Sequence, residues 1–339
     1  MTVDHLVALS LLEDLSRRHL TERLTIGDPE LEALAGPLLS RAVAVRVDAA
    51  ARGLLFAPWD DPAFPPLLLA TPDCPPGLWY TGALQVVAAP CVAVVGSRAG
   101  SPVSLEMAGR LSTELAARGV TVVSGLARGV DSAAHRGALR RGRTVAVLGS
   151  GLDRVYPREH TSLAADVARQ GCVLSEYPPG TPPLPFHFPM RNRIISGLSR
   201  AVVVIEASDH SGSLITAACA LEQGREVMAV PGTVPGGRNT GGHALNRDGA
   251  TIVESADDVL RELGLFEGDW ARDRAAKTTA PEGSGDYLLS RMDVGEPYDL
   301  DDLASASGVG APQLLPHLSA LELEGRVRRV EGGRFVRVC

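Results

Sequence analysis

Lysine is almost absent from this chain: Lys277 is the only one in 339 residues. A P-loop nucleotidase needs a lysine just after its glycine loop to reach the β and γ phosphates. Lys277 lies in KTTAPEGSG with no such loop before it, so that class is excluded. Cysteine is sparse and unpatterned. The five present (Cys74, Cys91, Cys172, Cys219 and Cys339) form no CxxC pair, so neither a metal site nor a disulfide framework is expected. Cys91, Cys172 and Cys219 sit in apolar stretches, where a cysteine serves as a small core residue. Long apolar runs are missing too: nothing approaches the roughly 18 residues that a membrane-spanning helix requires. The opening MTVDHLVALS carries an acid where a secretory leader has a basic segment. No membrane span is expected, and the expected location is cytoplasmic.

What is present describes an ordinary globular protein, with 45% hydrophobic and 22% charged residues and enough length for two or three domains. The formal net charge of −7 argues mildly against a nucleic-acid partner, but such binding depends on a local patch rather than on the total. One stretch is locally basic. From Arg98 to Arg143 there are eight arginines (Arg98, Arg110, Arg118, Arg128, Arg136, Arg140, Arg141 and Arg143) against three acids, Glu106, Glu114 and Asp131.

Residues 1–56 read as short helices. Leu6, Leu9, Leu12 and Leu15 recur near helical spacing, and DPELEALAG runs from an acid cap to Gly36. A small all-helical domain is expected there, either a contact module or a cap on the neighbouring domain. A proline-rich connector, PWDDPAFPPLLLATPDCPPGLWYTG, then carries an edge strand near Leu78 to Tyr80. From Cys91 onward, short apolar strands (CVAVVGS, TVVSG, TVAVLGSG, CVLSEY, AVVVIEAS, EVMAVPG and TIVES) alternate with helical stretches. Strands apolar throughout, alternating with helices, belong to a parallel sheet covered on both faces. The expected fold class is therefore α/β, with an extended Rossmann-like parallel sheet over residues 57–264. Ligands of such sheets bind outside the carboxyl ends of the strands. The polar and glycine-rich residues gather there: Gly96-Ser97-Arg98, Ser124-Gly125, Gly149-Ser150-Gly151, Ser175-Glu176, Glu206 and Pro231-Gly232.

Residues 265–284 have the polarity of a linker and no period. In 285–339, three helical stretches (DYLLSRM, DLDDLASASG and APQLLPHLSALELEG) precede RVRRVEGGRFVRV, two strands about a Gly332-Gly333 turn. That is the pattern of a winged helix. Its would-be recognition helix carries Gln313, His317, Glu322 and Glu324, an acidic mix, whereas Arg328, Arg329 and Arg334 of the wing suit phosphates. DNA contact by the wing and docking to a protein are equally compatible with this pattern.

The chain is organised around CVAVVGSR at 91–98, an apolar strand running into Gly96-Ser97-Arg98, with Ser101-Pro102 opening the next helix. A glycine turn, a helix N-terminus and an arginine fork together make an anion site. A plain strand-to-helix turn with a solvated arginine fits the same residues. SGLARGVD at 124–131 sets a second glycine turn, with Arg128, beside the first. His135 follows Asp131 by four residues on one helix face, a general-base pair or, more simply, a structural pair that pins the helix start. No serine or cysteine nucleophile completes a triad.

In a chain with only 4% aromatic residues, FHFPMRNR places Phe186 and Phe188 beside Arg191, Asn192 and Arg193. Rings stack on unpaired bases while arginines neutralise phosphates, so this conjunction with Arg98 points to single-stranded nucleic acid. Two core rings and a solvated basic face are the alternative. A dinucleotide site is not expected, because Arg154 stands where the third glycine of GxGxxG should follow Gly149 and Gly151.

Taken together, GSR at 96–98, SGLARGVDSAAH at 124–135, LGSGLDRVYP at 148–157, FPMRNRIISGLS at 188–199, SGSLITA at 211–217 and GREVMAVPG at 224–232 resemble the DNA-processing protein A (DprA, or Smf) family. The motifs stand in family order over roughly residues 58–255. The resemblance implies an extended Rossmann-like core that binds and protects single-stranded DNA, and a homodimer that loads the RecA recombinase onto that DNA in natural transformation. It implies no enzymatic activity and no cofactor, with a helical (SAM-like) domain before the core and a winged helix after it. The family's phosphate-binding pocket falls on Gly96, Ser97, Arg98, Ser124, Gly125, Arg191, Asn192 and Arg193. Arg128, within the second turn, joins that set, and Phe186 and Phe188 are the stacking candidates. The N-terminal helices lack the glycine-centred hairpin of a DNA-binding helix-hairpin-helix.

A competing expectation is an enzyme. The same Rossmann-like cradle occurs in nucleotide phosphoribohydrolases of the lysine-decarboxylase-like group, for which Glu176 and Glu206, both at strand ends, would be the catalytic acids. PGGRNTGG departs from that group's PGGxGT signature, with Asn239 where its second loop glycine belongs.

Overall fold

The computed structural model describes residues 1–12, 16–265, 289, 292–307, 311–323, 325–330 and 334–338. The chain divides into two compact units, Met1–Trp270 and Ala271–Cys339. The first opens with helices α1 (Val3–Ser10), α2 (Arg17–Thr25), α3 (Glu30–Ala35) and α4 (Leu39–Ala51). Strand β1 (Leu55–Pro58), a short helix α5 (Pro66–Leu69) and β2 (Gly77–Gly82) come next. Then strands and helices alternate: β3 (Cys91–Val95), α6 (Pro102–Ala117), β4 (Thr121–Ser124), α7 (Val130–Ala138), β5 (Thr144–Val147), α8 (Thr161–Gln170) and β6 (Cys172–Ser175). The series continues with α9 (His187–Gly197), β7 (Ala201–Val204), α10 (Gly212–Glu222), β8 (Glu226–Ala229), α11 (Thr240–Arg247), β9 (Thr251–Ile252) and α12 (Ala256–Glu262).

The strands form one nine-stranded sheet in the order β1-β2-β6-β5-β4-β3-β7-β8-β9. Every pairing from β6 to β9 is parallel, as the apolar runs require. Successive side chains leave a strand on opposite faces. Val92 and Val94 accordingly join Leu111 and Leu115 of α6 and Ala134 of α7 on one face. Ala93 and Val95 meet Ile194 and Ile195 of α9 and Ala217 of α10 on the other. Burying each such valine or leucine contributes about 1.5–3 kcal/mol, and a one-residue slip would exchange the two faces. The chain winds outward from β3 through β4, β5 and β6, then returns to lay β7 on the other side of β3. The carboxyl ends of β3 and β7 therefore flank the point where the winding reverses, the place where such sheets bind ligands.

Two features depart from the sequence expectation. The strand expected near Leu78 to Tyr80 is β2, but it is no edge, because it pairs with β6 on one side and β1 on the other. The outer strand begins at Leu55, inside the span read as helical. The N-terminal helices also share their core with the sheet: Leu6, Leu9, Leu20 and Leu31 pack in one cluster with Trp79, Ala146, Leu148 and Val173. Leu15, the last of the expected leucine series, lies outside the described residues.

In the second unit, strand β10 (Pro297–Tyr298), helices α13 (Leu300–Ser307) and α14 (Ala311–Leu323), and strands β11 (Val327–Arg329) and β12 (Phe335–Arg337) surround a core that includes Leu303, Leu314, Leu318, Val327 and Phe335. The sheet order is β10-β12-β11, both pairings antiparallel. Strand β10 was not expected, being too short for a period to show. The helix expected over DYLLSRM lies outside the described residues except at Leu289 and Met292. The Gly332-Gly333 turn lies outside them as well, as does the expected linker beyond Leu265. Arg328, Arg329 and Arg334 are exposed, with the Arg329 guanidinium 5.7 Å from the Phe335 ring centroid. Among the described residues no helix is long and apolar enough to cross a membrane, and no cluster of metal-ligating side chains is present.

Candidate functional site

A cleft of about 420 Å³ opens at the carboxyl ends of β3 and β7. Gly96, Ser97 and Arg98 form one wall, Phe188, Arg191 and Asn192 of α9 a second, and Ser208 with His210, Ser211, Gly212 and Ser213 at the start of α10 a third. A smaller cavity continues past Arg98, Gly125, Arg128, Tyr156, Phe188 and Arg191. Arg98 is exposed and makes no ion pair among the described residues; its guanidinium lies 5.5 Å from the Phe188 ring centroid.

Close approach explains two of the glycines. A Cβ at Gly96 would come within 2.8 Å of Val130 on α7, and one at Gly125 within 2.6 Å of the Arg191 guanidinium. Gly96 is thus required by packing of the next helix, and Gly125 leaves room for Arg191 itself.

The anion site expected at the start of α6 is already filled by the protein. Glu206, nearly buried after β7, accepts from the Ser101 hydroxyl and the Ser104 hydroxyl, each at 2.6 Å, and from the Ser101 amide at 3.2 Å. Burial pushes the Glu206 carboxyl up, but these donors and the charge of Arg238 together bring it below the usual range. The helix that opens onto the cleft is instead α10, capped where the Ser211 hydroxyl accepts from the Ser213 amide. Asn192 fastens the two walls, donating to the Gly212 carbonyl at 3.2 Å. The signal for α10 was legible: SGS before an apolar helical run is an N-cap pattern.

Helix α9 divides its basic run between two faces. Phe188, Arg191, Asn192 and Ile195 recur at spacings of three and four and line the cleft. Arg191 is nearly buried, and its Nη1 donates to the carbonyls of Gly125, at 2.7 Å, and Val147. Burial pulls its guanidinium down to about 10, Asp131 opposing and Arg98 adding to the fall, so it stays charged at neutral pH. Arg193 does not reach the cleft. It is buried on the other side, its Nη2 on Glu176 at 2.6 Å and its Nε 3.4 Å from Asp73, while Arg17 of α2 approaches Glu176 at 3.3 Å. Burial alone would lower the Arg193 guanidinium, but Glu176 and Asp73 raise it above the usual arginine value. This group belongs to an internal lock, not to a phosphate site.

The second glycine turn is likewise occupied. The fully buried Ser124 hydroxyl donates to the Val94 carbonyl at 2.7 Å, and the Gly125 amide donates to Asp131 at 3.1 Å. The Ser124 hydroxyl and the Gly125 amide are thus spent within the protein, while Gly125 still lines the smaller cavity. Asp131 and His135 do not pair: His135 Nδ1 lies 2.7 Å from the Thr144 hydroxyl, deep in the core. Arg128 reaches the second cavity but is held by Glu159 at 2.5 Å, both exposed. Phe188 packs on Tyr156 with ring centroids 5.4 Å apart, whereas Phe186, 62% exposed, lines neither cavity and rests edge-on against His187. Asn239 is buried, accepting from the Ala207 amide and donating to the Val230 carbonyl, and so staples the ends of β7 and β8.

Comparison with known proteins agrees with this architecture. The family model described as DNA recombination-mediator protein A matches residues 56–264, and one described as the DprA winged helix domain matches residues 272–333. Protein Smf of Escherichia coli strain K12 is 44% identical over 299 residues, covering 83% of this chain and 78% of that protein. The X-ray structure of DNA processing protein A from Streptococcus pneumoniae superposes with a TM-score of 0.67 at 36% identity, covering 77% of this chain and 98% of that one. A Helicobacter pylori DNA processing protein A, whose structure is described as giving insight into its single-stranded DNA binding mode, matches with a TM-score of 0.55 at 28% identity, covering 59% of this chain and 92% of that one.

Proposed function

Since this chain belongs to the DNA recombination-mediator protein A (DprA/Smf) family, we propose that it binds single-stranded DNA by holding the phosphate chain in the cleft between β3 and β7. The observation that carries this reading is the exposed guanidinium of Arg98, which has no ion-pair partner among the described residues and faces the cleft beside Phe188. Arg191 adds a second charge, and the first turn of α10 turns its amide dipoles the same way. A cleft with cationic walls and an aromatic edge suits a phosphate chain with unstacked bases. The exposed Arg328, Arg329 and Arg334 add a secondary phosphate contact in the winged helix.

The binding is without hydrolysis in this proposal. Glu176 is locked to Arg193, and Glu206 is consumed by Ser101 and Ser104, so neither strand-end acid is free to act as a general base. Loading of RecA onto the bound strand, a homodimer and a cytoplasmic setting for natural transformation are further parts of the proposal, supported by family membership and the family's description as a recombination mediator. A crystal structure with a short oligothymidylate tests the central part. The expected result is a phosphate within hydrogen-bonding distance of Arg98; a strand bound elsewhere, with this cleft empty, overturns it.

A further inference from the structure

The Arg98 guanidinium has no ion-pair partner among the described residues to hold it in place. Its reach into the cleft is therefore set by the main chain of residues 96–101, between β3 and α6. That segment is held from both sides. On the α7 side, the Val130 amide donates to the Ser97 carbonyl at 3.2 Å. Gly129, with a φ of 73°, presses so close that a Cβ there would collide with the carbonyl oxygens of Ser97 and Arg98. On the opposite side stands Glu206. Its backbone carbonyl accepts from the Ser97 amide at 2.8 Å, and its carboxylate accepts from the Ser101 amide and from the hydroxyls of Ser101 and Ser104. The Ser101 hydroxyl also accepts from the Ser104 amide, so its one proton goes to Glu206. Arg238 adds a tie in the middle, donating to the Ala99 carbonyl at 3.1 Å.

We propose that the Glu206 carboxylate is a positioning residue for single-strand binding: it fixes the loop that aims Arg98 and does not itself touch DNA. Glu206 is only 5% exposed and does not line the cleft, so a bound strand has no access to it. An anion so near a phosphate site opposes binding by its charge alone. The positive end of α6 and the three donors offset that charge locally, and an ionised acceptor holds two hydroxyls more firmly than a neutral one. A glutamine is no substitute. In either orientation its amide nitrogen meets a donor that the carboxylate now accepts, the Ser101 amide or the two hydroxyls.

This inference rests on the reading of the cleft, and the sign of the effect separates positioning from charge. Affinity for an oligothymidylate of about twelve nucleotides, within the range of single-strand sites, is measured by fluorescence anisotropy across a salt series. Wild type and Arg98→Ala are each compared with and without Glu206→Gln. Positioning predicts a loss of about fivefold where Arg98 is present and no effect where it is absent, as for groups that act together. The slope of log K against log salt should also become shallower, by up to about 0.7 as the phosphate contact of Arg98 is lost. A pure charge effect runs the other way, since removing an anion strengthens binding in both backgrounds. A gain, an unchanged affinity or an equal loss in both backgrounds overturns the proposal. Ser104→Ala deletes one hydroxyl, leaves the charge and stands in if Glu206→Gln does not fold. It should weaken binding about twofold, again only where Arg98 is present. If Arg98→Ala binds as wild type does, the reading of the cleft itself fails. If Arg98→Ala weakens binding while Glu206→Gln and Ser104→Ala do not, only the positioning role fails.

Discussion

Arg191 and Arg193 stand two residues apart on α9 and meet opposite surroundings. Arg191 lies along the cleft, bonded to backbone carbonyls of two strand-end turns, while Arg193 is enclosed by Glu176, Asp73 and the approach of Arg17. A helix turns about 100° per residue, so positions two apart point nearly opposite ways. The difference teaches that a basic run on a helix is not one electrostatic feature. One face lines the cleft, and the other ties the N-terminal helices to the core of the sheet.

The largest expected effect breaks the second face alone. Arg193→Met leaves Glu176 buried without its nearest cation, and removing one partner of a buried pair costs about 3–5 kcal/mol. Urea unfolding should show that loss, while the folded fraction binds single-stranded DNA as wild type does. A stable variant with weakened DNA binding would place Arg193 in the cleft after all.

The next effect comes from His135, which feels the charge of Arg191 but not that of Arg193. Burial, then the charges of His160, Arg191 and Arg136, bring its imidazole from 6.5 down to about 3. Below pH 6.5 the unfolded chain takes up a proton here that the folded chain does not, so this contribution is complete above 6.5 and is lost as pH falls toward 3. At about pH 5 the loss from this residue amounts to about 2 kcal/mol. Denaturant titrations at neutral and acid pH should show it, and His135→Gln should flatten the profile; an unchanged profile would mean that His135 is protonated in the fold.

The smallest effect sharpens the cleft side. Glu159→Gln releases Arg128 toward the middle cavity, and single-strand affinity should rise about threefold, the scale expected for an exposed pair. A fall in affinity would show that the pair itself contacts DNA.

The parallel sheet was legible in the sequence because its central strands are apolar on both faces, a pattern that survives without knowledge of neighbours. The position of β2 was not, since an antiparallel addition at the margin depends on Leu55–Pro58, a segment too short to show a period. Gly96-Ser97-Arg98, Asn192 and Phe188 could be placed at the site from their motifs. What stayed hidden was which polar groups the protein uses up internally. Glu206 fills the start of α6 from 105 positions away, and Glu176 claims Arg193 across 17. Such partners are joined by the sheet order, which no local pattern records.

Arg98, the exposed guanidinium at the reversal point of the sheet, carries the most weight. The direct measurement is the affinity of Arg98→Ala for an oligothymidylate across a salt series, beside its melting temperature. The prediction is a loss of about tenfold or more at moderate salt, as charge-assisted contacts contribute about 1.5–3 kcal/mol each, with a shallower salt slope and an unchanged melting temperature. A folded variant that binds as tightly, with the wild-type slope, would contradict it.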